Sequence, residues 1–373
     1  MNKISIIGIR GVPASYGGFE TFAHHLALYL TNEGWSVSVY CQENGNDSIF
    51  ESDWKGVKRI HVPVTGDGPF STIKFDWKSH LHCSRQSGLV LSLGYNTAIF
   101  SLLFRWRRMR NVINMDGIEW KRDKWNNFAK LWFWVNERLG CILGNSLVAD
   151  HPFIKVHLAT RVSTDKIKMI PYGANEVVAE TVNVSLLEHY ILSPDEYVIV
   201  VARAEPENSL LEIVTAFSQK KRDCKLVVLG KYISNNKYHR KVKAAASEEV
   251  VFIGTVYDQK QLSALRYFAK FYIHGHTVGG TNPSLVEALG AGNALLCHDN
   301  VYNRWVAGNA AVYFKDIEQA SECLDLLLSD SDIINNLSHN AKHRFLEAFT
   351  WEDVLKQYDD FLQNEIAQLK NKY

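Results

Sequence analysis

Short apolar runs suited to buried strands alternate with stretches of helical spacing from residue 3 to residue 314, and this rhythm constrains the fold more than any other feature. In the first half, strands are predicted at 3–7, 37–40, 59–63, 89–93, 111–115, 146–149 and 168–170. Helices fall between most of them, at 19–30, 71–87, 97–105, 126–139 and 152–159. The segment Pro171-Tyr172-Gly173-Ala174-Asn175 then breaks the pattern, and the polar stretch to Glu196 reads as a domain junction. The second half repeats the rhythm, with strands at 197–202, 225–229, 250–253, 271–273, 294–297 and 311–314. Its helices are placed at 210–220, 237–247, 259–268 and 283–289, and three more close the chain at 317–328, 332–349 and 351–369. Alternation of this kind predicts an α/β protein of two Rossmann-like doubly wound domains facing a cleft, with ligands at the carboxyl ends of parallel strands.

The run from His274 to Gly292 sits at such a strand end. Its glycine-rich turn includes Gly280 and Thr281, Asn282 suits a helix N-cap, and Pro283 suits the first helical position. A turn of this type presents backbone N–H groups and the positive end of a helix dipole to phosphate. Ser284 lies in the first turn, and Glu287, one turn in, carries two acceptor oxygens suited to a ribose diol. A plain strand–turn–helix joint remains the alternative. His274 and His276 share a strand face but lack a third metal ligand, so His276 is read as a hydrogen-bonding group beside a ligand. Asp330-Ser331-Asp332 is a helix-capping turn between two helices. Gly8 and Gly11 lack the spacing of a dinucleotide fingerprint, which argues against an oxidoreductase.

Six scattered cysteines without a Cys-x-x-Cys pair indicate neither a disulfide framework nor a zinc ribbon. No apolar run reaches the length of a membrane span and no signal peptide is read at the start, so the cytoplasm is expected. The net charge of +1 conceals an asymmetry. Residues 1–175 hold 21 Lys and Arg against 14 Asp and Glu, or +7, and residues 176–373 hold 20 against 26, or −6. Arg105, Arg107, Arg108 and Arg110 cluster with Trp106, and Trp120, Trp125, Trp132 and Trp134 follow closely. Interleaved cations and tryptophans suit the headgroup layer of a membrane, with a solvated basic edge as the alternative. Nothing points to a nucleic-acid partner.

Several motifs together resemble one family. They are Gly17-Gly18-Phe19-Glu20, Ile170-Pro171-Tyr172-Gly173, Val201-Ala202-Arg203-Ala204-Glu205-Pro206-Glu207, the Glu287 helix and Phe349-Thr350-Trp351-Glu352. The chain resembles the retaining glycosyltransferases of the GT-B fold, family 4. Arg10-Gly11-Val12-Pro13, Asp116-Gly117-Ile118-Glu119-Trp120-Lys121-Arg122 and Gly279-Gly280-Thr281-Asn282-Pro283-Ser284 look like a bacterial subgroup. That subgroup includes rhamnosyltransferases of capsule and exopolysaccharide assembly. The resemblance implies an N-terminal acceptor-side domain (1–175), a C-terminal nucleotide-sugar domain (176–349) and a last helix (350–373) that crosses back to the first domain. It also implies a nucleotide-sugar donor, a lipid-linked saccharide acceptor and no metal or other cofactor.

Within that resemblance, Arg203 and the turn 280–284 stabilise the leaving diphosphate, joined by the N–H groups of Gly17 and Gly18. Asp116 and Glu119 position the acceptor hydroxyl or support oxocarbenium charge, against the alternatives of turn capping and of pairing with Lys121 or Arg122. Two family positions differ. Gly279 stands where a glutamate normally touches the donor sugar, which leaves room for a deoxysugar such as L-rhamnose. Asn208 stands where a lysine normally joins Arg203 on the diphosphate, with Lys231 and Arg10 as possible replacements. A nucleotide-sugar epimerase and an inactive nucleotide-sugar-binding partner are the alternative functions.

Overall fold

A computed structural model describes residues 1–15 and 17–370. The chain forms two compact units, one comprising Met1–Pro171 with the C-terminal helix Trp351–Lys370, the other Tyr172–Thr350. The first division falls after Pro171, where the sequence reading places it after Asn175, and the second falls after Thr350.

The first unit holds eight strands: β1 (Lys3–Ile7), β2 (Ser36–Asn44), β3 (Phe50–Trp54), β4 (Val57–Val64), β5 (Leu89–Leu93), β6 (Asn111–Asn114), β7 (Ser146–Ala149) and β8 (Ile167–Met169). Their order in the sheet is β3-β4-β2-β1-β5-β6-β7-β8, and every pairing is parallel except β3 with β4. Strand β3 was not predicted. Its run Phe-Glu-Ser-Asp-Trp is mostly polar because it is an exposed edge, and the turn Lys55-Gly56, both at positive φ, closes a two-residue hairpin. The switch in strand order falls between β1 and β5.

The second unit holds β9 (Tyr197–Val201), β10 (Lys225–Leu229), β11 (Val250–Gly254), β12 (Tyr272–His274), β13 (Leu295–His298) and β14 (Ala311–Phe314). Their order is β11-β10-β9-β12-β13-β14, all parallel, so here the switch lies between β9 and β12. Both faces of this sheet are buried. Tyr197 and Ile199 point into one apolar layer and Val198 and Val200 into the other, which is why these strands read as continuous apolar runs. The helix Val301–Ala307 was not predicted, being short and capped by Asn300.

The last helix packs on the first unit through long-range polar contacts. Trp35 Nε1 donates to Asp359 at 2.9 Å, Asn114 donates to Tyr358 at 2.9 Å, and Ser146 donates to Glu365 at 2.8 Å. Arg110 corrects the reading of a four-arginine surface. It is 8% exposed and places its guanidinium on Glu365 and Gln368 of this helix, so only Arg105, Arg107 and Arg108 face solvent. Among the described residues no helix is long and apolar enough to cross a membrane.

Candidate active site

In a doubly wound sheet the loops on either side of the switch diverge and leave a crevice at the carboxyl edge. In the second unit those loops follow β9 and β12, and most of the expected donor residues lie on them. Arg203 follows β9 and is exposed. Lys231 follows β10, and the register pairs Leu229 with Val201, so both cations stand two residues beyond a paired rung at adjacent strand ends. Among the described residues neither side chain has a hydrogen-bonding or ionic partner.

The two loops are stitched together. Asn208 is buried, donates to Arg203 O at 2.8 Å, and shares a 2.5 Å hydrogen bond with Nδ1 of buried His276. Thr277 N donates to Glu207 O at 2.9 Å, and Asn300 and Asn303 each donate to His276 O at 2.9 Å. Gly275 permits this approach, since a Cβ there would lie 2.3 Å from Asn208 O. Asn208 and His276 therefore fix the shape of the crevice from within, and Asn208 holds the Arg203 loop where a lysine would reach outward.

The helix Pro283–Gly290 begins as the sequence predicts, with Asn282 accepting from Ser284 N at 3.0 Å and Pro283 in the first turn. That cap occupies the Ser284 N–H, and the glycine turn at Gly280 precedes it. The Ser284 hydroxyl is also engaged, by Tyr272 OH at 2.7 Å and by Arg266 at 3.2 Å, and it donates to Val201 O at 3.1 Å. Glu287 pairs with Arg266 at 2.5 Å. The guanidinium is almost fully buried and the carboxylate is a quarter exposed, which orients Glu287 while leaving part of it accessible. Arg266 was missed by sequence reasoning, because nothing on its own helix distinguishes it from a surface arginine.

His274 is buried, and among the described residues its Nε2 has no hydrogen-bond partner. Burial pushes its pKa down to about 3, aided by nearby His298, so the ring is neutral. Among the described residues no group of three or more His, Cys, Asp or Glu could hold a metal.

In the first unit the crevice beside β1 and β5 contains a cavity of about 200 Å³. Gly8, Ile9 and Arg10 line it from the β1 side, Asn96 and Thr97 from the β5 side, and Thr72, Phe75, Asp76 and His80 from the helix Pro69–Cys83. Asp76 is buried, accepts from Thr97 Oγ1 at 2.8 Å through Oδ2, and has no partner for Oδ1 among the described residues. Burial raises its pKa to about 7, against the lowering effect of the Thr97 hydrogen bond. Sequence reasoning missed Asp76, which looks like an ordinary polar residue of an amphipathic helix.

Gly17 adopts φ +98 ahead of the helix Gly18–Asn32, and a Cβ there would lie 2.3 Å from the Glu20 carboxylate. Glu20 accepts from Arg10 N at 3.2 Å and lines the cavity, so the Gly17-Gly18 turn is covered by a negative group as it stands. Asp116 follows β6, one strand from the switch. It takes a left-handed conformation at φ +51, and its carboxylate has no partner among the described residues. Strain of this kind is tolerated by Asp and is concentrated at functional positions. Tyr95 locks the turn, donating to Gly117 O at 3.2 Å and accepting from Glu119 N at 2.8 Å. Glu119 itself is buried on Arg122 at 3.0 Å and on Trp125 Nε1 at 3.1 Å, and burial, then nearby Asp116, raises its pKa. Its side chain braces this loop through Arg122, in a buried pair where the sequence reading places a surface one.

Residues 188–344 match the family model described as glycosyl transferases group 1, and residues 1–175 match a domain of unknown function (DUF1972). The chain is a glycosyltransferase of the GT-B fold. Among solved structures the glycosyltransferase superimposes on sucrose-phosphate synthase from Thermosynechococcus elongatus with a TM-score of 0.81. That match has 16% identity and covers 99% of this chain and 100% of that one. It also matches a glycosyltransferase from Rickettsia africae (TM-score 0.72, 15% identity, 98% of each chain). A third neighbour is Anabaena HepE in complex with UDP and glucose (TM-score 0.74, 13% identity, 97% and 99% of the chains). No curated protein matches.

Proposed function

We propose that this glycosyltransferase moves a sugar, L-rhamnose from its dTDP form, onto a lipid-linked oligosaccharide at the inner face of the cell membrane during cell-surface polysaccharide synthesis. The observation that carries the donor half is the pair Arg203 and Lys231 at adjacent strand ends, without partners among the described residues, with the Gly280 turn following β12 on the other side of β9. A nucleotide diphosphate leaves as an anion, and fixed cations and backbone N–H groups that meet it lower the barrier without a metal. Glu287, oriented by Arg266, is assigned to the ribose. The neighbour solved with UDP and glucose supports the same class of donor.

The acceptor half rests on the first unit. Asp116 is assigned to the acceptor hydroxyl, and the cavity at Asp76 to neighbouring hydroxyls of the acceptor saccharide. A carboxyl group that titrates near neutrality can both donate to and accept from sugar hydroxyls. In the transfer, the bond from the anomeric carbon to the phosphate oxygen breaks as the acceptor oxygen bonds to the same face of that carbon. The acceptor proton passes to the departing phosphate oxygen, so no protein nucleophile is required.

A thermal-shift panel of nucleotide sugars tests the donor, since a ligand that binds only the folded state stabilises it by about 2.7 kcal/mol at a hundredfold excess over Kd. The expected result is a rise with dTDP-L-rhamnose, followed by its consumption only when a lipid-linked acceptor is added. Consumption without acceptor would assign an epimerase, and no rise with any nucleotide sugar would overturn the reading.

A further inference from the structure

The helix Asn127–Leu143 of the first unit has an apolar stripe on its outer side. It buries Asn136 and Glu137 along with Gly140, Cys141 and Leu143, while Phe128, Leu131, Trp134, Val135 and Ile142 point to solvent. Phe128 is 79% exposed, Ile142 64% and Leu131 58%. At 100° per residue, positions 128, 131, 135 and 142 share one narrow face, with Trp134 and Arg138 on its flank. A soluble helix normally buries such a stripe, and a contiguous exposed one marks an interaction surface.

The surroundings of the stripe are cationic. Arg138 lays its guanidinium 3.5 Å from the centre of the Trp134 ring, whereas Lys130 lies off the stripe and pairs with Asp123 at 3.3 Å. At the carboxyl end, Lys166 donates to Cys141 O, and burial and then the charge of Arg105, close enough to be felt here, lower its pKa. The only acid in the helix, Glu137, is buried on Arg161, His157 and Trp120 and does not reach the surface.

We infer that this face docks on an anionic lipid bilayer, with the apolar stripe entering the headgroup boundary and Arg138 and Arg105 meeting lipid phosphates. An apolar stripe flanked by Trp and cations has the form of an interfacial helix. A second copy of the chain fits less well, because a two-fold contact would bring these cations toward their own equivalents with no carboxylate on the helix face to pair them. The inference deepens the lipid-acceptor reading and rests on it for its biological sense.

Flotation with vesicles of 1:1 phosphatidylglycerol and phosphatidylcholine tests it. The wild type should float with these vesicles and about tenfold less with pure phosphatidylcholine, and 0.5 M salt should weaken the binding without abolishing it, by about tenfold. The Leu131→Ser/Ile142→Ser variant, with unchanged circular dichroism and melting, should lose about tenfold or more in partition, because its apolar anchor is gone. The Arg105→Ser/Arg107→Ser/Arg108→Ser variant should lose the salt-sensitive part. A wild type that stays with the soluble fraction, or a Leu131→Ser/Ile142→Ser variant that floats equally well, overturns the inference. So does a wild-type dimer in sedimentation velocity that this variant abolishes. Transfer to a detergent-solubilised lipid-linked acceptor is measured separately. Vesicle binding without such transfer would leave the docking in place and remove the acceptor reading.

Discussion

The two carboxyl edges carry opposite chemistry, and neither has the sign of its half of the chain. The first half is +7 overall, yet its edge presents the carboxyl of Asp116, without a partner among the described residues, and that of Asp76, held only by the Thr97 hydroxyl. The second half is −6, yet its edge presents Arg203 and Lys231, which have no partner among the described residues. Net charge is set by the outer faces of helices, where solvent screens it, whereas a site is set by the few groups left unpaired at strand ends. The pattern suits a neutral, hydroxyl-rich ligand on the first unit and an anionic one on the second.

The sharpest way to break this comparison is Arg203→Ala. If the second edge stabilises a departing diphosphate, kcat should fall about 10²–10³-fold with little change in melting temperature, because the side chain is exposed and unpaired. An unchanged kcat would move the anion to Lys231 alone or elsewhere.

Asp76→Asn tests the first edge through pH. The carboxyl is raised from 3.8 to about 7 in the folded protein, so the folded state binds more protons than the unfolded one between those values. Wild-type stability therefore falls as pH rises from about 4 to about 7 and is level above that. The neutral amide carries no such penalty. The variant should gain on the wild type across this window, by at most roughly 4 kcal/mol at pH 8, in denaturant titrations at pH 4, 6 and 8. Parallel curves would mean that Asp76 ionises normally and that the cavity is open to water.

Smaller effects sharpen the picture. Asn208→Ala should cost about 1–3 kcal/mol by leaving the buried His276 ring and the Arg203 carbonyl without their partner, with kcat falling as the loop loosens. Glu287→Gln should weaken nucleotide affinity in calorimetry and also lower the melting temperature, since Arg266 stays buried beside a neutral amide. Lost affinity with unchanged melting would assign the carboxylate to ligand alone. Arg107→Ser should change stability by less than about 0.5 kcal/mol, whereas Arg110→Ala should cost several times as much because it strands Glu365.

Much of the fold was legible in the residues. The rhythm of buried runs and helical spacing located every parallel strand, because a strand buried on both faces reads as an unbroken apolar run. Asn282 and Pro283 announced a helix start, since capping is a local property of the backbone. The loops bearing Arg203 and Gly280 were likewise placed by their strands. Local pattern failed where the partner of a residue lies far along the chain. Arg110 is claimed by Glu365 and the Trp35 indole by Asp359, both on the last helix.

The sequence by itself determined two doubly wound units, their carboxyl edges and the chemistry available on each loop, because strand period, caps and turns act over a few neighbouring residues. The tertiary structure decided which of those groups are free. It spent Asn208, Ser284 and Glu119 on internal bonds, left Arg203, Lys231 and Asp116 without partners among the described residues, buried Asp76 beside a cavity, and turned the apolar face of Asn127–Leu143 outward. Burial and long-range pairing set those outcomes, and neither is written in local spacing.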